Sequence, residues 1–225
     1  MSIYAIADLH LSFKSNKPMD VFGENWKNYE NKIKQDWIEK VKEDDLVLLP
    51  GDFSWATYIE DTDLDFKYLN NLPGKKLLLK GNHDYWWTTL TRMRKYIEEN
   101  NFKNIDFIYN NSYLYEDNII VGTRGWSLTE KGDTTKMLKR ELARLELSFL
   151  DGIKKYGEDK NIIVCMHYPP MNEFLEYMKK YNVKICLYGH LHGKQHANAK
   201  EGIVNGVNLK LVSSDYLNFK LEKIV

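Results

Sequence analysis

Residues 3–10 read Ile-Tyr-Ala-Ile-Ala-Asp-Leu-His, an apolar run that ends in a carboxylate and an imidazole. Runs of about four to six aliphatic and β-branched residues that stop at polar or turn residues predict buried strands. In layered α/β proteins the carboxyl ends of such strands meet at one edge of a sheet, where ligands bind. This stretch therefore predicts a strand that delivers Asp8 and His10 to a site.

The same pattern recurs four times further along the chain. The apolar runs 46–49, 77–79, 162–166 and 185–188 lead, in order, to Gly51-Asp52, Gly81-Asn82-His83-Asp84, His167 and Gly189-His190-Leu191-His192-Gly193. Five of the six histidines lie at these strand ends, and His196 is the exception. Randomly placed histidines would also fall on helices and surface loops. The clustering of histidines at strand ends therefore predicts one site built from remote parts of the chain.

The segments between the strands have helical spacing of apolar residues. Helices are predicted over 24–43, 86–100, 135–156 and 173–181. Further strands are predicted over 113–115, 119–121, 203–204, 209–212 and 217–221. We expect an α/β (α+β layered) protein with a mixed sheet, because hairpin-like pairs accompany the longer crossovers. Without a repeat or a low-complexity linker, residues 1–225 are expected to form a single domain.

Composition narrows the function classes. Lys+Arg and Asp+Glu both number 32, and this balance argues against a protein that binds long stretches of nucleic acid. Cys165 and Cys186 lie inside apolar runs and are expected to be buried free thiols, not a disulfide framework or a thiolate metal site. No stretch of about 18 apolar residues and no signal-peptide pattern is present, so a soluble cytoplasmic protein without membrane contact is expected.

The residue types at the strand ends are those of a metal site. In an extended segment residues i and i+2 point the same way, so we expect Asp8 and His10 to reach one ion together. Carboxylate, imidazole and amide oxygen suit Mn²⁺, Fe²⁺ or Fe³⁺, Zn²⁺ or Co²⁺. Gly51, Gly81 and Gly189 precede the ligands, where tight turns and close approach are needed.

The ordered series of strand-end motifs resembles the calcineurin-like metallophosphoesterases. The resemblance implies a β-sandwich of mixed sheets flanked by helices, with a dinuclear metal centre at the carboxyl ends of strands. It implies metal ligands at seven positions: Asp8, His10 and His192 on the first ion, Asp52 bridging both, and Asn82, His167 and His190 on the second. His83 would lie near the leaving group without binding metal.

The implied function is hydrolysis of a phosphate mono- or diester by a metal-bridging hydroxide. His83 would donate a proton to the leaving oxygen, and Asp84 would either orient His83 or cap the following helix. Gly51-Asp52 continues to Phe53-Ser54-Trp55 and so lacks the second Asp and the Arg of the protein phosphatase branch, which argues against a phosphoprotein substrate. Arg124, in a glycine loop after run 119–121, is either a replacement phosphate ligand or half of a surface ion pair.

Two other functions are compatible with the sequence. A nuclease acting on polynucleotide uses the same metals, although the balanced charge favours a phosphorylated small molecule as the substrate. A non-catalytic metal-binding interaction scaffold is disfavoured because His83 and all seven implied ligands are present. Trp55, Trp86, Trp87 and Trp126 lie beside the motifs, and packing beneath loops is favoured over lining the cleft.

Overall fold

Two mixed β-sheets packed face to face, with helices outside, form the protein and confirm the predicted fold class. The computed structural model describes residues 1–127 and 133–225. The strands are β1 Ile3–Ala5, β2 Leu46–Leu49, β3 Lys75–Leu79, β4 Ile105–Ile108, β5 Tyr113–Tyr115, β6 Asn118–Thr123, β7 Asn161–Met166, β8 Ile185–Tyr188, β9 Gly202–Val204, β10 Val207–Leu211 and β11 Glu222–Lys223. The α-helices are α1 Tyr29–Lys40, α2 Asp63–Asn70, α3 Leu90–Glu99, α4 Thr134–Tyr156 and α5 Asn172–Lys180.

Sheet topology places the strand ends together. The first sheet has the order β11-β1-β2-β3-β4, in which β1 to β4 are parallel and β11 is antiparallel. The second sheet has the order β5-β6-β7-β8-β10-β9, with β6, β7, β8 and β10 parallel. The sheets join just past β1 and β10, where Ala7 N donates to Val212 O at 2.7 Å. The carboxyl ends of the parallel strands in both sheets therefore meet at one edge.

Small aliphatic side chains fill the space between the sheets, including Ala5, Leu48, Ile163 and Leu187. Both cysteines are buried free thiols, as predicted. A second apolar cluster, rich in aromatic rings, lies between the first sheet and its helices, and a third lies between the second sheet and helices α4 and α5. No helix in the described ranges is both long and apolar enough to cross a bilayer.

Most predicted elements are confirmed with shifted ends, and two differ. The predicted helix 24–43 begins only at Tyr29, because Glu24–Trp26 forms a 3-10 helix and Asn28 has a φ of 56°. Strand β4 and helix α2 were not predicted. The strand predicted over 217–221 is wrong, because Asn218 and Phe219 have φ values of 52° and 60° that an extended strand excludes.

Candidate metal centre

Left-handed backbone at four strand-end residues shapes the site. Asp8, His10, Asp52 and His190 have φ values of 59°, 46°, 53° and 74°. Such angles are uncommon outside glycine and persist only where surrounding contacts enforce them. The extended geometry predicted for the first two is therefore wrong, because β1 ends at Ala5. Their side chains still converge, since the chain turns sharply at each of them.

Backbone hydrogen bonds hold these loops against one another. Asp8 N donates to Gly51 O and His10 N donates to Asp52 O, each at 2.9 Å. A β-carbon at Gly81 would lie only 2.0 Å from Asp52 Oδ1, so no side chain fits there. The glycine before Asn82 is thus required by close approach of the two loops.

Asp8, His10 and His192 form one ligand group, whose donor atoms lie within 4.8 Å of one another. The His10 and His192 Nε2 atoms are 3.3 Å apart, and His192 Nε2 is 3.6 Å from Asp8 Oδ1. His192 Nδ1 lies 2.8 Å from Asp215 Oδ1 and donates its proton to that carboxylate. The Nε2 atom of His192 is therefore turned towards the group.

A second group contains Asp8, Asp52 and His167, with donor atoms again within 4.8 Å. His167 Nδ1 donates to Pro50 O at 3.1 Å, which leaves the Nε2 lone pair facing Asp52 Oδ2 at 3.4 Å and Asn82 Oδ1 at 2.7 Å. His190 Nδ1 lies 3.0 Å from the same Asn82 oxygen. The Asn82 amide oxygen, His167 and His190 thus lie together beside this group.

Asp52 belongs to the second group and also faces the first. Its Oδ2 is 3.8 Å from His10 Nε2 and 3.4 Å from His167 Nε2, and its Oδ1 accepts from His83 N at 2.8 Å. One carboxylate oxygen therefore faces a histidine of each group, which is the position a bridging ligand needs. Asp8 belongs to both groups as well, a sharing that the sequence did not predict.

The electrostatics of the site fit a pair of cations. Asp8 and Asp52 are buried, and within the described ranges their ion-pair partners are histidines, with no Lys or Arg. Burial raises the pKa of Asp52 well above its ordinary value, and the negative charges of Asp84 and Asp8 raise it further. Buried carboxylates of this kind are paired or coordinate metals.

His10 and His167 present the neutral form that binds metal. Burial lowers the pKa of His10 and lowers that of His167 to about 3, so both imidazoles are neutral. Burial also lowers the pKa of His192, but the negative charges of Asp8 and Asp215 outweigh it and raise that pKa to about 10. A cation beside His192 would offset Asp8 and release the proton from Nε2. The donor set and its charges therefore fit two metal ions.

Comparison with known proteins gives the family of the chain. The family model described as calcineurin-like phosphoesterase matches residues 1–194, which include all seven implied metal ligands and His83. The chain belongs to the calcineurin-like phosphoesterase family. It is therefore a metal-dependent phosphoester hydrolase, and its substrate carries a phosphate group. Among curated proteins none matches the chain significantly.

Solved structures show that the phosphoesterase fold extends over the whole chain. TT1561 of Thermus thermophilus has a TM-score of 0.63 at 11% identity, covering 99% of this chain and 97% of that one. Phosphopantetheinyl hydrolase (PptH) from Mycobacterium tuberculosis has a TM-score of 0.58 at 12% identity, with coverage of 100% and 95%. A protein of unknown function, AQ665 from Aquifex aeolicus, has a TM-score of 0.53 at 18% identity, with coverage of 99% and 95%. At these identities the likeness shows the fold alone.

In this phosphoesterase Asp84 ties two ligand loops together. Its buried carboxylate accepts from Asp52 N at 2.9 Å, Gly81 N at 2.7 Å and Phe53 N at 2.9 Å, and also from Ser54 N and Trp86 Nε1. Within the described ranges it has no hydrogen bond to His83, and the cap of helix α3 is Thr89. Asp84 therefore takes neither of its two predicted positions and instead fixes the loop that carries Asp52.

His83 lies at the wall of a cleft that opens onto the first ligand group. The cleft has a volume of about 430 Å³ and is lined by His10, His83 and His192 together with Met19, Phe22, Asn25, Trp26, Trp55, Gly193 and Asp215. The His83 ring packs 4.5 Å from that of Trp55. Burial and the neighbouring His190 lower the pKa of His83. A substrate phosphate would bring negative charge that raises it again.

Arg124 lies beside the second ligand group through its backbone. Its carbonyl accepts from His167 N at 3.2 Å and from Tyr168 N at 3.0 Å, and its guanidinium lies 5.0 Å over the Trp126 ring. Its buried Nε has no hydrogen-bond partner in the described part of the chain, and no ion pair to a carboxylate is present there. Among the described residues Arg124 therefore has no carboxylate partner, and phosphate binding remains a prediction.

Three residues of the site escaped the sequence analysis. Asp215 lies four residues past β10, at the end of another apolar run, so the strand-end pattern could have identified it. Tyr29, whose hydroxyl donates to His10 O at 2.8 Å, and Trp26 precede or begin a helix and carry no such signal. Trp86, Trp87 and Trp126 are buried, as favoured, whereas Trp55 lines the cleft.

Proposed function

We propose that the protein hydrolyses a phosphate mono- or diester of a small molecule at a dinuclear metal centre. In this proposal Asp8, His10 and His192 hold the first ion and Asp52 bridges both. Asn82, His167 and His190 hold the second, with Mn, Fe, Zn or Co as the metal. The observation that carries the proposal is the position of Asp52 Oδ2, 3.8 Å from His10 and 3.4 Å from His167. Residues 1–225 act as one catalytic domain.

When bound, the metal pair supplies a hydroxide nucleophile at neutral pH and offsets the charge of the phosphate. A water oxygen forms the new bond to phosphorus, and the bond from phosphorus to the alcohol oxygen breaks. His83 gives its proton to that alcohol oxygen and regains one from solvent, a contribution of about 10²–10⁴-fold. Asp84 holds the Asp52 loop in place, and Arg124 binds a phosphate oxygen of the substrate.

The nuclease and the scaffold have less support. The cleft beside His83 is walled by apolar and aromatic side chains, not by the basic groove that tracks a nucleic-acid backbone. A scaffold would not need a histidine at the wall of a cleft that opens onto the ligands. A small-molecule phosphoester is therefore the proposed substrate.

The test is turnover with metal supplied. Phosphomonoesters, phosphodiesters and pyrophosphates would be assayed with Mn²⁺ beside elemental analysis of the purified protein. Asp52→Asn should reduce both bound metal and turnover. His83→Ala should retain metal and lose about 10²–10⁴-fold in turnover. Circular dichroism checks that both variants fold. Wild-type protein that binds no transition metal and cleaves none of the esters would refute the proposal.

A further inference from the structure

A mostly apolar second cavity adjoins the cleft beside His83. This cavity of about 220 Å³ is lined by Lys17, Pro18, Met19, Val21, Phe22 and Trp55. It shares Met19, Phe22 and Trp55 with the cleft that opens onto the metal ligands. We name Met19, Val21, Phe22, Trp26 and Trp55 the apolar trough. Within the trough, Trp55 packs beside His83, and Val21 and Phe22 are exposed to solvent.

The trough is built mainly from one segment inserted between β1 and α1. The 3-10 helices Met19–Phe22 and Glu24–Trp26 lie in this segment. Trp26 is fixed by Phe219, with ring centroids 5.0 Å apart, whereas Val21 and Phe22 are 72% and 68% exposed. Exposed apolar side chains grouped beside a site mark a surface that a ligand covers.

The polar groups of the trough are too few to read a nucleobase. Apart from His10, His83, His192, Asp215 and the indole N–H groups of the two tryptophans, the polar side chains among the described residues that line the cleft and the second cavity are Asn25 and Lys17. The Trp55 ring already stacks on His10 at 4.9 Å and has Lys17 Nζ 4.5 Å over it, which leaves little of it for base stacking. A recognised base needs hydrogen bonds to its edge as well as a stacking surface.

We infer that the apolar trough binds the alcohol part of the substrate, and that this alcohol is an alkyl or simple aryl group, not a nucleoside or a polyol. The inference rests on the proposed function, because His83 protonates the oxygen of the alcohol that leaves. Since His83 and Met19 line the same cleft, the departing group lies against Met19. A longer alkyl chain extends over Phe22 and Val21.

Hydrolysis of a graded ester series tests the inference. With Mn²⁺ supplied, kcat/KM should rise from methyl to butyl to octyl phosphate, by up to about fourfold for each methylene that becomes buried. The matching methyl alkyl phosphodiesters are run in parallel. Adenosine monophosphate should be cleaved no better than butyl phosphate. Phe22→Ser should reduce the octyl-to-methyl ratio. Ile203→Ser replaces another exposed apolar residue, 80% exposed and outside the trough, and should leave the ratio unchanged.

A binding measurement keeps the inference separate from turnover. Octylphosphonate and methylphosphonate are titrated into the Mn²⁺-loaded protein while tryptophan fluorescence is followed, because Trp26 and Trp55 line the trough. Octylphosphonate should bind more tightly in the wild type and lose that preference in Phe22→Ser. Equal affinity for the two phosphonates overturns the inference, even if short esters are hydrolysed. Selective octylphosphonate binding without hydrolysis of any ester would instead overturn the proposed function and leave the trough as a binding site.

Discussion

Two cavities of about 430 Å³ lie at opposite ends of the strands in the first sheet. The carboxyl-end cleft opens onto His10, His83 and His192. The amino-end cavity is lined by residues at the starts of β2, β3 and β4 together with Glu43, Lys103 and strand β5. Volume therefore does not distinguish the site from an ordinary depression in the surface.

Backbone strain and buried charge do distinguish them. Four non-glycine ligand residues at the carboxyl end are left-handed, and left-handed residues other than glycine cost about 1–3 kcal/mol each. In the amino-end cavity Asp106 instead pairs with Arg94 at 2.9 Å, so its charge is already offset. Strained loops around several buried carboxylates need further stabilisation, and two cations at the carboxyl end would provide it.

Of the substitutions that compare the two cavities, Asp84→Asn is expected to have the largest effect. The amide replaces one carboxylate oxygen with a donor that faces backbone N–H groups, so the Asp52 loop shifts. A displacement near 1 Å in a catalytic group costs about 100-fold in turnover. Asp106→Asn is the matched control in the amino-end cavity and should keep full turnover. Full activity of Asp84→Asn would show that the tie between the loops does not position Asp52.

The sequence predicted the site better than it predicted the loops that build it. Apolar runs ending in Asp, Asn or His are visible because strands and ligands alternate along the chain. The positive φ of Asp8 and His10 was not visible, because it depends on hydrogen bonds to Gly51 and Asp52, more than 40 residues away. Long-range contacts of this kind override the local preference for extended backbone.

The insert between β1 and α1 shows the same limit. Its helical spacing of apolar residues predicted one helix from residue 24, but Gly23 at a φ of 143° and Asn28 at 56° divide it into short turns. Strand β4 is followed by Tyr109-Asn110-Asn111-Ser112, which contains no carboxylate or imidazole, and it was missed. Function-bearing strands were thus easier to recognise than purely structural ones.

A smaller effect is expected from Asp215→Asn, which weakens the support of His192. The amide accepts from Nδ1 less strongly than the carboxylate does, so the Nε2 lone pair becomes a poorer metal donor. Substituting the carboxylate that accepts a hydrogen bond from a metal-binding histidine lowers metal affinity by about 10–100-fold. Mn²⁺ titration by calorimetry measures the change. Asp106→Asn again serves as the control and should leave metal affinity unchanged. Unaltered affinity in Asp215→Asn would mean that His192 does not bind the metal through Nε2.

The smallest effect is expected at the amino-end cavity, where Lys76 is 1% exposed and its Nζ donates to Leu72 O. Burial lowers the pKa of Lys76 to about 7, whereas the unfolded chain keeps the ordinary value near 10.5. Between these two values the unfolded state binds more protons than the folded state, so the free energy of unfolding rises with pH. The gain in the free energy of unfolding from pH 7 to pH 8 is about 1 kcal/mol.

Lys76→Met removes this contribution without touching the metal centre. Urea unfolding at both pH values should therefore show a smaller rise in the variant, and turnover should be unchanged. An equal rise in the two proteins would mean that Lys76 stays charged in the folded state, and a loss of turnover would show that the two ends of the sheet are coupled.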